Sequence, residues 1–168
     1  MSLKNVEVGS ATSFFLKLKD GENRIRIVSE EVPVWTSFNR VEGTAKKYIT
    51  EEGAKRDPEA KKRFAMWVVD RSDPSVLKLA EFGTQIMSGL KTIANASETS
   101  FDGLPPFDII ITRTGVGMDT SYLVQASRQN TELTDVEKKM VADQESVLDF
   151  LKQDAEDSGE VKLENIPF

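Results

Sequence analysis

"SFFLKLKDGENRIRIVSEEVPVWTSF", residues 13–38, is the stretch on which the fold turns. Phe14, Leu16 and Leu18 alternate with Phe15, Lys17 and Lys19, the two-residue period of a strand with one buried face. The following "KDGEN" supplies turn residues, with Gly21 free to take positive φ. Ile25 and Ile27 then alternate with Arg24, Arg26 and Val28. Together they predict a β-hairpin whose second arm runs on, bent, through Trp35 and Phe38.

Outward from this hairpin the pattern changes several times. Residues 39–62 are polar and mixed in charge, a long excursion with a short strand at "KKYIT" and a helical turn in "DPEAKK". "RFAMWVVDR" (63–71) reads as a strand with Phe64, Met66 and Val68 on one face and Arg63, Trp67 and Arg71 on the other. "SVLKLAEFG" continues as an extended piece. "TQIMSGLKTIANA" (84–96) has Ile86, Leu90 and Ile93 at helical spacing, with Thr84 as a candidate N-cap. "FDIIITRTGVGMDTSYLVQAS" (107–127) is a second hairpin around a Gly-rich turn. Three sheet segments, a helix and two strands predict a mainly β protein of the OB-fold type, a five-stranded Greek-key barrel with its helix between strands 3 and 4. This places a barrel domain at 1–128 and an appendage at 129–168.

The appendage opens with a capping box, "TDVE", from Thr134 to Glu137. Leu133, Val136, Met140, Val147, Leu148 and Leu151 mark an apolar stripe on a helix over 134–153. Beyond it "EVKLENIPF" is too short and polar to fold alone. Charge is unevenly shared. Residues 1–128 carry 18 Lys/Arg against 17 Asp/Glu, and residues 129–168 carry 4 against 11, so a near-neutral body bears an acidic tail. The acidity of the whole is therefore no argument against a polyanionic ligand.

The chain has no cysteine and no histidine. Disulfides, thiol nucleophiles, Ser-His-Asp relays and zinc sites of the usual ligand types are excluded. General acid–base chemistry would fall to a perturbed carboxylate or lysine. No metal or cofactor is called for, and the expected protein is not an enzyme. The "TRTGVGMDTSY" loop (112–122) is no P-loop, because no Lys-Ser/Thr follows, and it lacks the third Gly of the dinucleotide fingerprint. A nucleotide-dependent enzyme using this loop is the least favoured reading. No apolar tract is long enough for a bilayer, and the N-terminus lacks a secretory h-region, so a cytoplasmic location is expected.

Aromatic and basic residues interleave as single-stranded nucleic acid requires, since every base has a π-face and every nucleotide a phosphate. Trp35, Phe38, Tyr48, Trp67 and Tyr122 are the stacking candidates. Arg26, Lys46, Lys47, Arg63, Arg71 and Arg113 are the phosphate candidates. The bland alternative assigns Trp67 to the core and pairs the arginines with surface acids.

The blocks "FLKLKDGENRIRIVSEEVPVW", "FAMWVVDRSDPSVLKLAEFGTQIMSGLKTIAN" and "PPFDIIITRTGVGMDTSYLV" resemble, in order and spacing, those of bacteriophage single-stranded DNA-binding proteins of the helix-destabilising type. The likeness covers most of residues 14–125. It implies a protein that coats single-stranded DNA during phage replication or recombination, in the cytoplasm of a bacterial host. Some members hold a structural zinc through Cys and His in the excursion after the first hairpin; with neither residue here, that region must be ordered otherwise. The "ENIPF" end is similar to the tip of bacterial single-stranded DNA-binding proteins. By that likeness Glu164, Ile166, Pro167 and Phe168 would bind a replication or recombination partner. The rival expectation is an OB-fold protein-interaction module with no direct nucleic-acid role.

Overall fold

The computed structural model describes residues 14–39, 44–130, 132–152 and 160–163. Eight strands make one antiparallel sheet: β1 (Gly21–Ile27), β2 (Val32–Asn39), β3 (Thr44–Tyr48), β4 (Lys61–Asp70), β5 (Leu77–Phe82), β6 (Phe107–Thr114), β7 (Ser121–Asn130) and β8 (Glu160–Leu163). Their order is β7-β6-β1-β4-β2-β3-β8, with β5 on the other edge of β4. Among the described residues four α-helices accompany them: α1 (Glu51–Ala54), α2 (Thr84–Asn95), α3 (Asp135–Asp143) and α4 (Val147–Lys152). The protein is mainly β.

Strand β4 is the centre of this arrangement. Along one edge it takes β1 and then β2, with Ile27 opposite Val68 and Val32 opposite Ala65. The second arm foreseen in the sequence does run on past a break at 28–31. Along its other edge β4 takes β5, from Phe64 opposite Phe82 to Val69 opposite Leu77.

Apolar residues on the two faces of β4 feed two cores. Met66 and Val68 join Ile25, Ile109, Ile111 and Phe82 under α2, which contributes Ile86, Leu90 and Ile93 as its helical spacing predicts. Ala65, Trp67 and Val69 join Val34, Leu77 and Leu79 in a second core, closed by Val147 and Leu151 of α4. A strand buried on both faces reads as a continuous apolar run, and "FAMWVV" is one.

Several expectations need correction. The first hairpin does not form: residues 14–16 instead run beside β5, where Leu16 N–H donates to Leu79 O (2.9 Å) and Phe15 makes a parallel bridge to Leu79. Leu16 and Leu18 pack on the first core and Phe15 on the second, but Phe14, expected with the leucines, is 44% exposed and its ring meets Phe150 of the second core. The barrel is not closed, since among the described residues no ladder joins β5 to β7. The residue capping α2 is Gly83 and not Thr84. The single turn of helix in the excursion is at 51–54, ahead of "DPEAKK". The capping box at Thr134 and Glu137 is present, but the helix it opens breaks at 144–146, so 134–153 is two short helices. Val136, assigned to the apolar stripe, is 69% exposed.

Helix α2 crosses β7 at Gly89, where an added Cβ would lie 2.7 Å from Val124 Cβ. In an ordinary helix interior Gly→Ala gains about 1 kcal/mol. Here overpacking of about 1–3 kcal/mol opposes it. Gly89→Ala is therefore expected to lower the urea midpoint, and adding Val124→Ala to restore it. A midpoint raised by Gly89→Ala alone would contradict the close crossing.

Candidate nucleic-acid interface

Strand β4 begins with "KKR" at its exposed end. Lys61, Lys62 and Arg63 line a cavity of about 370 Å³ together with Gly83, Thr84, Gln85 and Ile86 of the α2 entry and Tyr122 of β7. Among the described residues no acidic side chain lines it. The helix end adds to its polarity. Gly83 brings no side-chain cap, and the first turn of α2 holds no carboxylate. Its unpaired backbone N–H groups and the positive end of the helix dipole are thus left to face an incoming ligand.

Trp35 is not among the residues that line this cavity and is linked to it through Lys62. It lies half-buried on β2, opposite Lys62 on one side and Tyr48 on the other, and the Lys62 ammonium stands 5.9 Å from its ring centroid. Arg63 is anchored by an NH2 donation to Glu81 O (3.0 Å), while its buried Nε has no hydrogen-bond partner. Of the residues expected from the sequence, Arg63 and Tyr122 line the cavity, and Trp35 meets only the Lys62 ammonium beside it. Lys61 and Lys62 lie outside the phosphate candidates and read in the sequence only as added positive charge beside Arg63. Their signal was a run of three cations at the very start of a strand.

The remaining candidates are placed elsewhere. Trp67 is 2% exposed, a core residue whose Nε1–H donates to Glu145 O (2.9 Å) and whose ring meets Phe150 edge-on at 5.0 Å. The expected Arg63–Trp67–Arg71 stacking face is therefore absent, because the C-terminal helices cover that side of β4. Tyr48 is buried too, its hydroxyl donating to Asp57. Phe38 is 43% exposed, but three residues beyond Trp35 it falls on the opposite face of β2. Lys46 is exposed and its charge acts on Asp57.

Lys47 is fully buried in an ion pair with Glu81. Burial pushes its ammonium pKa down, against the opposing pull of Glu81. It has the perturbed pKa that acid–base chemistry asks for, yet no solvent path. Arg113 donates to Leu18 O and pairs with Asp20 (3.6 Å). The tail residues Glu164, Ile166, Pro167 and Phe168 lie outside the described residues.

Arg26 and Arg71 belong to a different construction. The Asp108 carboxylate, 6% exposed, accepts from Arg24 Nε at 3.0 Å and pairs with Arg26 Nε and Arg71 NH2 at 3.2 Å. Arg71 also pairs with Glu137, the capping-box residue of α3. One carboxylate thus ties β1, the end of β4 and β6 together, and Arg71 carries the tie on to α3. These arginines are structural, with their charge spent on protein carboxylates.

In the described part of the excursion, residues 44–62, Asp57 is the hub. Asp57 accepts from Ser37 Oγ, Tyr48 OH (3.0 Å) and Glu59 N–H (3.0 Å), pinning the loop to β2 and β3. The Ser37 hydrogen bond leads the causes that hold its pKa below the usual carboxylate range. Among the described residues no group of three or more Asp or Glu side chains is placed to hold a metal ion. No described helix is long and apolar enough to cross a membrane. Set against family models, curated proteins and solved structures, the chain matches none of them.

Burial alone would raise the Asp108 pKa; the Arg71 and Arg24 hydrogen bonds, with the Arg71 and Arg26 charges, outweigh it and hold the carboxyl below its ordinary value. A depressed folded pKa gives stability that is complete above the unfolded value near 3.9 and is lost as pH falls through the folded one. Asp108→Asn should cost about 3 kcal/mol at pH 7, at the low end for a broken buried pair because Arg24 and Arg71 reach water. That gap should shrink between pH 5 and pH 2.5 in urea unfolding. A gap independent of pH would contradict the charged clasp.

Proposed function

We propose that this chain binds single-stranded DNA, with little sequence preference and without making or breaking bonds, at the cleft between the start of β4, the entry of α2 and Tyr122. The observation that carries the reading is the composition of that cleft. Three cations and a helix N-terminus converge there with a tyrosine, none of the described lining residues is a carboxylate, and the Trp35 ring centroid lies 5.9 Å from the Lys62 ammonium. Cations neutralise successive phosphates, and flat rings accept any base, which is the sequence-tolerant chemistry of single-strand binders.

The strand order supports an OB-type scaffold. We read the path β7-β6-β1-β4-β5, with α2 between β5 and β6, as a five-stranded Greek-key order opened along one seam. That fold is itself partly open. On this reading the chain belongs with phage single-stranded DNA-binding proteins acting in replication or recombination, and its acidic C-terminal segment recruits protein partners. The binding surface differs from the one the alternation suggested. The charged end of β4 serves in place of its middle.

Lys61→Ala with Lys62→Ala should flatten the dependence of log affinity on log salt by about 1.4, at about 0.7 for each phosphate contact on a single strand. Tyr122→Leu keeps the packing volume but removes the π-face, and should weaken oligothymidylate binding by about 1 kcal/mol or more at every salt. Fluorescence separates the two tryptophans: Trp67→Phe should retain quenching by oligothymidylate, and Trp35→Phe should lose it. Quenching that follows Trp67 would overturn the placement of the site. Binding of a peptide with no salt dependence would favour the protein-interaction reading.

A further inference from the structure

A second opening lies beside the cationic cleft. It is a groove of about 400 Å³ between β4, α2 and the loop before β6, walled by Phe64, Met66, Met87, Leu90, Phe101 and Leu104. The two are neighbours on both elements that build them. On β4, Lys62 lines the cleft and Phe64 lines the groove, with the Lys62 ammonium 5.5 Å from the Phe64 ring centroid. On α2, Ile86 lines the cleft and the next residue, Met87, lines the groove.

The groove is apolar and aromatic along its walls, with Ser29, Glu31 and Lys91 also among its lining residues. Leu104 is 40% exposed, a large apolar side chain left in water. Sites of this size with a few polar groups at the edge of an apolar wall suit a flat, partly polar ligand. A ligand that spans both openings must be anionic at one end and a planar ring at the other. A nucleotide is built this way, with its base joined through a sugar to its phosphate.

Resting on the reading of the cleft as the phosphate seat, we infer that this groove is a base-binding pocket. It takes one unpaired nucleobase of the bound strand between Phe64, Met87 and Phe101 while the adjoining phosphate lies on Lys61, Lys62 and Arg63. Glu31 accepts from exocyclic amino groups, Lys91 donates to ring carbonyls, and neither demands a particular base. The Phe64 ring serves both seats, since the cation above it lines the cleft and its own surface lines the groove.

The test compares oligothymidylate with an abasic oligodeoxynucleotide of equal length, using the full chain and Leu104→Asp. The wild type should bind the abasic strand roughly 5- to 150-fold more weakly, the range for loss of base stacking. Leu104→Asp should weaken oligothymidylate binding towards the abasic value and leave abasic binding within about two-fold, allowing for a modest charge effect at the rim. Met87→Gln, which keeps length and helix propensity, should act in the same direction.

If both variants bind oligothymidylate as the wild type does, the base pocket is overturned, while salt-dependent binding of the abasic strand leaves the cationic cleft standing. If neither strand binds the wild type, both readings fall. If Leu104→Asp turns a dimer into a monomer in sedimentation without changing oligothymidylate affinity, the groove is an interface with a second copy and the pocket is again overturned.

Discussion

Strand β4 is hydrogen-bonded along both edges and covered on both faces, and the rest of the molecule is arranged by that fact. Its partners on one side are β1 and β2, and on the other β5. Residues 65–69 are all buried, and only the first residues and the last remain near water. A charged residue in the middle of such a strand would be costly, whereas Lys61 and Lys62 at its start stay exposed and Arg63 is half-buried. The chemistry of this strand is therefore pushed to its ends: a cationic cleft at one, and at the other Arg71, which is neutralised by Asp108 and Glu137.

The two ends differ in what meets each arginine's charge. Arg71 and Arg26 meet a buried carboxylate within 3.2 Å, so their charge is matched inside the protein. Arg63 meets a backbone carbonyl, which orients the guanidinium without cancelling its charge. Lys61 and Lys62 stand exposed beside it. The cleft thus keeps net positive charge in a protein that is acidic as a whole.

Much of the β framework was legible because two-residue alternation and turn residues are local signals. The bent arm through Trp35, the strand at "KKYIT", helix α2 and the hairpin at 107–127 all carry such signals. What alternation cannot reveal is whether the second face of a strand meets solvent or another layer. Alternation sets Trp67 opposite Phe64, Met66 and Val68 and so suggests an exposed face. Its own face holds Ala65 and Val69, however, and the partner for that apolar set was the stripe at Val147 and Leu151, more than seventy residues away. Tyr48 and Lys47 were misplaced for the same reason, since Asp57 and Glu81 reach them only through tertiary packing. The residues that line the cleft come from β4, α2 and β7, a juxtaposition no spacing rule encodes.

The central claim is that exposed cations at the start of β4 grip the phosphates of an unpaired strand. It is tested most directly by titrating the full chain with oligothymidylate over a range of salt concentrations. Three phosphate contacts at Lys61, Lys62 and Arg63 give log affinity against log salt a slope of about −2. Affinity that does not change with salt, or no binding at low salt, would contradict it.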